Sequence, residues 1–448
     1  MSSKELAEKV SEARRASLQL AQLPREVKDR ALRSAAKAIL GHQEEILDAN
    51  KKDMAAGKTL LEEGKLSKPL LDRLKLDKTK LLEISKMVDG VADLDDPAGR
   101  TLYAMKLDAG LELFKVTVPF GVIVSIFESR PDALPQIASL CIKSGNSVLL
   151  KGGSEAQESN RAIYQVMSEA FVADGLPIGC MHLVEGRSAV SELLKMEGLV
   201  DLIIPRGSNE FVRYIQENTE IPVLGHSSGM CHIYVDRAAD PKKAVEMCHD
   251  ARVQYPAACN SMKILLIDER VAPELLPQIT KRLVDSGVRI KGCDKTMKIL
   301  RSHGIPAERA GEKDWSTEYL ELVLPVKVVG GVDEAIEHIN CHSSKHTDSI
   351  ISEDRASVKR FLNMVDSSTV IHNASTRFSD GYRYGLGAEV GISTNKVHAR
   401  GPVGLEGLVT TKYVLLGSGQ KVSDYVGKGS KPFLHKKATG DWKGRLGT

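Results

Sequence analysis

Residues 122–127 read VIVSIF, and runs of the same kind recur as SVLLK (147–151), MHLV (181–184) and DLIIP (201–205). Each is short, almost wholly apolar, and followed by a segment with helical spacing: about 132–144, 154–173, a shorter one after 184, and one beginning near Asn209. Continuous apolar strands alternating with helices predict a parallel sheet covered on both faces, because a parallel connection must cross back over the sheet. A second series starts near 231 with HIYVD, a helix over 241–253, MKILLID (262–268), a helix over 272–285 and LVLPVKVV (322–329). Two α/β domains are therefore expected. Residues 111–118, LELFKVTV, alternate loosely and predict a strand in a projecting hairpin arm. Residues 1–90 are charged and favour helix, with Leu6, Val10, Ala13 and Leu18 expected on one face and Pro24 breaking the pattern. Nine glycines within 379–419 predict an irregular loop region with crowded backbone.

Composition agrees with a globular chain. Of 448 residues, 42% are hydrophobic and 27% charged, enough for the cores of two or three domains, which excludes a disordered or fibrous protein. No apolar run approaches the ~18–20 residues that span a bilayer. The start, MSSKELAEKVSEARR, mixes acids and bases without an apolar core, so no signal peptide and no membrane partner are expected. The net charge is +3, and residues 421–448 alone hold seven bases and two acids, which leaves the rest slightly acidic and gives no nucleic-acid signature. Seven scattered cysteines with no C-x-x-C predict free thiols in a reducing, cytoplasmic setting.

The familiar motifs are absent or incomplete. Gly57-Lys58-Thr59 imitates the end of a phosphate-binding loop, but Lys52 occupies the position of its first glycine, and no G-x-G-x-x-G occurs. In HINCHSSKH, His338, His342 and His346 recur every fourth residue beside Cys341 and would line one face of a continuous helix as metal ligands. Ser343-Ser344 interrupts that helix and His346-Thr347-Asp348 reads as entry into a strand, so a helix terminus and no metal are expected. A metal-binding or scaffold protein is the alternative of a different class. Tyr255-Pro256-Ala257-Ala258-Cys259-Asn260 carries more chemistry: a cysteine among small residues, in a loop before an apolar strand, leaves room for a carbonyl, and the backbone N–H groups of Cys259 and Asn260 can face a developing oxyanion.

Taken in order, VTVPFGVIVSIFESRPD (116–132), SGNSVLLKGGSEA (144–156), DLIIPRGSNEFV (201–212), GHSSGMCHIYVD (225–236), YPAACN (255–260), HSSKHTDSI (342–350) and the block 373–408 from NASTRF to GLEGL resemble the γ-glutamyl phosphate reductases, a branch of the aldehyde dehydrogenase superfamily. The similarity runs to about residue 426. It implies an aldehyde dehydrogenase-like α/β fold: a dinucleotide-binding domain over 1–229 with an arm at 101–117, a catalytic domain over 230–385, a return segment and oligomerisation flap over 386–426, and a basic tail over 427–448. It implies NADPH-dependent reduction of L-glutamyl 5-phosphate to L-glutamate 5-semialdehyde with release of phosphate, the second step from glutamate to proline. Another thioester-forming, phosphate- or coenzyme A-dependent aldehyde dehydrogenase is the alternative. A homodimer or dimer of dimers and a separate glutamate 5-kinase are the implied partners.

Residue by residue, Cys259 matches the nucleophile, with Asn260 beside it. Lys151 matches the lysine on the adenosine ribose, and Ser154 stands where NAD-preferring relatives carry a glutamate, which favours NADPH because a 2′-phosphate then meets no like charge. Arg206, Gly207 and Ser208 match the turn before a helix that faces the pyrophosphate, and Glu321 matches the glutamate on the nicotinamide ribose. Arg130, Arg377 and Arg400 are the candidate cations for the substrate's anionic groups, and Asp132 and Asn373 the candidates for its ammonium. Two positions depart from hydrolytic aldehyde dehydrogenases. Leu224 replaces their water-activating glutamate, as suits an enzyme whose thioester water would destroy. Arg130 replaces their oxyanion-hole asparagine, so either it turns to the substrate or the hole is built differently.

Overall fold

The structure, a computed structural model, describes residues 2–445 except 187 and 227. Five helices lead in: Ser3–Leu20, Arg25–Gly41, Gln43–Glu62, Lys68–Leu74 and Lys78–Asp93. Ser2 and Asp77 cap the first and last by accepting from the backbone N–H of Glu5 (3.2 Å) and Lys80 (2.9 Å). Leu6, Val10 and Ala13 are buried as expected, but Leu18 is 62% exposed and Leu20 takes its place. Twelve residues at about 100° each put Leu18 a third of a turn from Leu6, outside the buried stripe.

Strands β1 (Thr101–Asp108) and β2 (Leu111–Pro119) form the arm hairpin, turning at Gly110, whose φ of +67° a side chain rarely adopts. The first domain's sheet comprises β3 (Val122–Phe127), β4 (Ser147–Gly152), β5 (Met181–Leu183) and β6 (Leu202–Arg206), all parallel, in the order β5-β4-β3-β6. Every residue of β3 is buried, so the VIVSIF run reflects two covered faces. The second sheet has seven strands: β7 (Cys231–Val235), β8 (Met262–Asp268), β9 (Arg289–Gly292), β10 (Glu308–Arg309), β11 (Val323–Val329), β12 (Thr347–Ile351) and β13 (Thr369–His372), ordered β10-β9-β11-β8-β7-β12-β13 and parallel throughout.

The glycine-rich block is irregular, as its composition predicts. It contains the short pair β14 (Gly391–Ser393) and β15 (Gly401–Val403) and a 3-10 turn at Leu405–Leu408 before β16 (Val409–Leu416) returns to the arm, pairing with β2 from Glu112 to Pro119. Residues 427–445 do not hang free as a tail. β17 (Lys436–Lys437) pairs with Met105 and Lys106 of β1, and Arg445 reaches Glu112 at 3.0 Å. Charge counting missed this because a two-residue strand has no period to read.

Candidate active site

The two sheets meet end to end: β3 and β6 end at Phe127 and Arg206, while β7, β8 and β12 begin at Cys231, Met262 and Thr347. Residues at the end of one sheet and the start of the other thus share one crevice. Asn209, just past β6, donates from Nδ2 to Glu318 Oε2 at 2.7 Å across it. Cys259 sits here, in the loop before β8, half-buried. Its loop is pinned by Lys263, buried in β8, whose Nζ donates to the carbonyls of Pro256 and Ala258, both at 2.8 Å. Burial pushes the Lys263 ammonium down to about 8. Cys231 Sγ donates to the Cys259 carbonyl at 3.1 Å. Gly229 packs against the same backbone. A methyl there would lie 2.5 Å from the Cys259 carbonyl oxygen and 2.6 Å from its Cα. Gly229→Ala is therefore expected to displace the thiol and lower kcat about 10²-fold while the protein still melts cooperatively. Steady-state kinetics beside a thermal melt checks this, and an unchanged kcat would show that the thiol's placement tolerates the shift.

Around the thiol stand two imidazoles that local sequence did not pair with it. The ligand atoms of His226, Cys259 and His346 lie within 4.8 Å of one another, and the two rings meet edge to face at 4.9 Å between centroids. His226 Nδ1 is fixed by the Ile392 carbonyl at 2.9 Å, and His346, fully buried, has Nδ1 2.8 Å from Thr347 Oγ1. Burial by itself raises the Cys259 thiol, but the charge of His346, the hydrogen bond of His226 and their remaining mutual attraction outweigh it and hold the thiol well below its ordinary value. Burial likewise opposes charge on His226, yet the bond to Cys259 carries its imidazolium up to about 9. The arrangement is a thiolate–imidazolium pair.

The other expected residues divide. Asn260 is buried beside Cys259, but its side chain is a clamp: Nδ2 donates to the Ser379 carbonyl at 2.8 Å and Oδ1 accepts from Arg377. Arg377 also donates to Gln254 Oε1 at 2.8 Å and lies over the Tyr255 ring, within electrostatic reach of Cys259. Arg130 and Asp132 pair with each other at 3.4 Å. Arg206 turns towards Gln136 Oε1 (3.2 Å); burial, then the charge of Arg130, depresses its pKa, and Glu389 and Cys259 act on it too. It thus belongs to the thiol side of the crevice and not to the pyrophosphate turn.

Three residues lie elsewhere. Asn373, at φ +49°, is engaged by the backbone N–H and carbonyl of Ser352 at 3.0 and 3.2 Å. That is the far end of β12 from His346, roughly 20 Å away at ~3.3 Å per strand residue. Arg400 donates to the Asp366 carbonyl and carboxylate at 3.0 and 3.2 Å. Asp366 also binds Lys396 (2.7 Å) and Lys345 (3.0 Å), with Lys396 foremost in holding its carboxyl below the ordinary range. Glu321 is 81% exposed beside Arg289. The glutamate that enters the crevice is Glu318, which meets Asn209 and lies 3.4 Å from Ser228 Oγ. In HINCHSSKH the helix ends at His342, so His338 and His342 stay together at 4.4 Å while His346 goes to Cys259.

At the carboxyl ends of β3, β4 and β5 opens a cavity of about 780 Å³, bounded by Phe127, Lys151, Gly152, Gly153, Ser154 and Phe211 among others. Open α/β sheets bind ligands at this end of their strands. Lys151 is nearly buried, with Nζ donating to the Gly152 carbonyl at 2.6 Å. Carboxylates near the opening are engaged: Glu155 Oε1 accepts from Ser129 N and Oγ at 2.6 and 2.7 Å, and Glu185 takes both arms of Arg161 at 2.7 and 3.0 Å. Ser208 caps the helix Asn209–Glu217 through Phe211 N, and its own N–H donates to Glu128 Oε2 at 3.1 Å. That carboxylate stands where a helix N-terminus favours an anion, and Gly207 has no room for a side chain beside it. The size, glycines, lysine and helix terminus fit the adenosine and pyrophosphate of a dinucleotide.

A half-buried thiolate between two α/β sheets, with a dinucleotide-sized cavity across the crevice, defines a thiol-dependent nicotinamide oxidoreductase. The sequence profile of the aldehyde dehydrogenase family matches residues 1–290. The chain belongs to that family, in its γ-glutamyl phosphate reductase branch, and is an oxidoreductase acting on aldehyde or acyl-phosphate groups. It is 50% identical over 438 residues to the γ-glutamyl phosphate reductase of Methanosarcina barkeri, covering 97% of each chain. It is 52% identical over 442 residues to that of Pelotomaculum thermopropionicum, covering 99% of each. The crystal structure of γ-glutamyl phosphate reductase from Thermotoga maritima superposes with a TM-score of 0.88 at 40% identity, covering 93% of this chain and 99% of that one.

Proposed function

We propose that the chain reduces L-glutamyl 5-phosphate to L-glutamate 5-semialdehyde with NADPH, releasing phosphate. The observation that carries this reading is the Cys259 thiol, ionised by His226 and His346; the resemblance adds that Leu224, buried in the core of the first domain, takes the position hydrolytic relatives give to a base. Cys259 Sγ attacks the acyl carbon, phosphate departs with the electron pair of the C–O bond, and a thioester remains. The phosphate leaves as hydrogen phosphate, so this step takes up the one proton the overall reaction consumes, drawn from solvent or from the imidazolium side of the crevice. The backbone N–H groups of Cys259 and Asn260 face the oxyanion. When bound, the nicotinamide supplies the hydride that takes the thioester to the aldehyde level. Sγ then leaves as the thiolate that the His226 imidazolium stabilises.

Lys151, Ser154, Gly207 and Ser208 hold the dinucleotide in this reading, with Glu318 on the ribose nearest the crevice. Ser154 puts no negative charge beside Lys151 at the cavity, so a 2′-phosphate meets no like charge from that position, which supports NADPH. Arg130, Arg206 and Arg377 meet the substrate's phosphate and carboxylate. Asp132 and Glu389 meet its ammonium; burial raises the Glu389 carboxyl to about 7 although Arg206 opposes this, so a bound cation would complete its ionisation. A separate glutamate 5-kinase supplies the acyl phosphate, and the arm sheet joins copies into a dimer or dimer of dimers. Among the described residues no helix is long and apolar enough to cross a membrane, and we place the enzyme in the cytoplasm. The reverse reaction tests the whole: glutamate 5-semialdehyde with NADP+ should yield NADPH only when inorganic phosphate is added, and more slowly with NAD+. Equal rates without phosphate, or dependence on coenzyme A, would replace this function with the related one.

A further inference from the structure

We infer that His226, Cys259 and His346 bind a thiophilic divalent cation, Zn2+ in particular, and that its arrival silences the nucleophile. One thiolate and two imidazoles are a donor set suited to zinc, and three protein ligands with an open fourth position are the pattern of an exchangeable site. Zn–N and Zn–S bonds of about 2.0–2.3 Å place tetrahedral ligands roughly 3.3–3.6 Å apart. The three donors already lie within 4.8 Å, so closure takes about an ångström of side-chain movement.

Two further observations point to a ligand. His346 is fully buried and its imidazole meets the Cys259 thiol, and its Nε2 has no partner among the other protein groups. Both imidazoles are also oriented from behind, His226 Nδ1 by the Ile392 carbonyl at 2.9 Å and His346 Nδ1 by Thr347 Oγ1 at 2.8 Å. Such outer partners fix metal-binding histidines with the second nitrogen presented. Lys263 and Arg377, both within electrostatic reach of Cys259, oppose a cation. The site therefore releases its metal where a structural zinc site would not. Binding displaces the His226 imidazolium proton to solvent and commits the sulfur's electron pair to the metal, so attack on an acyl carbon stops until the metal leaves.

The binding rests on geometry; only its inhibitory consequence rests on the proposed role of Cys259. The test uses the full chain stripped with EDTA and titrated with ZnCl2 by calorimetry. We expect one Zn2+ per chain, reductase activity lost in step with occupancy and restored by EDTA, and iodoacetamide alkylation of Cys259 suppressed. Co2+ in place of Zn2+ should give a sulfur-to-metal absorption band that Cys259→Ser removes. His226→Gln and His346→Gln should each lower affinity at least about tenfold, while His342→Gln should not. His226 is only half-buried, so its variant keeps the test decisive if the His346 variant fails to fold. Undiminished binding by His226→Gln, or Zn2+-loaded protein alkylated at the free rate, would overturn the site. Zinc lost from a Cys259→Ser protein that stays active would sink the nucleophile and leave the metal site standing.

Discussion

Cys259→Ser is expected to lower turnover on the order of 10⁴-fold or more, about 5 kcal/mol of barrier, with little change in thermal stability. A serine hydroxyl fits the same space but stays protonated between His226 and His346, so neither the thioester nor its good leaving group forms. The loss should appear in kcat, and phosphate should no longer be released from the acyl phosphate in a single-turnover burst. Cys293→Ser and Cys341→Ser should retain turnover, since Cys293 lies beside Thr296 in the second domain and Cys341 is exposed on the helix Val332–His342. Burial pushes the Cys248 thiol above its ordinary range, and Cys231, with Asp348 adding to burial, is likewise held up and protonated. A Cys259→Ser protein that still bursts would leave the chemistry without its nucleophile.

The second large effect belongs to His226. In metal-free protein, His226→Gln is expected to slow iodoacetamide alkylation of Cys259 at pH 7 about 30-fold and to lower kcat/KM at least as much. An unassisted thiol near 8.5 is only a few per cent ionised at pH 7, and the buried setting of Cys259 works further against ionisation. The sign follows from the two groups. The reactive pair exists above the depressed thiol value and below about 9, where the His226 imidazolium loses its proton. As pH falls, wild-type reactivity should drop only through the depressed thiol value; in the variant that inflection moves up towards the ordinary thiol range. A stopped-flow alkylation profile measures this directly. An inflection that does not move would assign the ionisation to His346 alone.

Much of the fold was written locally. VIVSIF, SVLLK and MKILLID became β3, β4 and β8 within a residue at each end, because a strand buried on both faces leaves no polar position to blur its limits. YPAACN was legible for a related reason: small residues before a buried strand create space wherever the loop points. Lys151 and Ser154 were singled out by the family resemblance alone, and the structure sets them beside the cavity at the end of β4. The readings that strayed depended on direction. Glu321 and Glu318 share one segment, TEYLELV, and only the turn into β11 decides that one faces solvent and the other the crevice. Asn373 and Arg400 lie in distinctive blocks, yet their polar atoms are consumed by Ser352 and Asp366.

The sequence by itself determined a parallel α/β chain, a cysteine among small residues in the loop before β8, and a lysine followed by two glycines at the end of β4, all carried by contiguous residues. Tertiary structure alone decided what ionises that cysteine. His226 and His346 stand 33 and 87 positions away, and nothing in the residues around either pairs it with the thiol. They meet because the second sheet presents the starting ends of β7, β8 and β12 to the finishing ends of the first. No spacing in the sequence encodes which strand ends face each other; packing does.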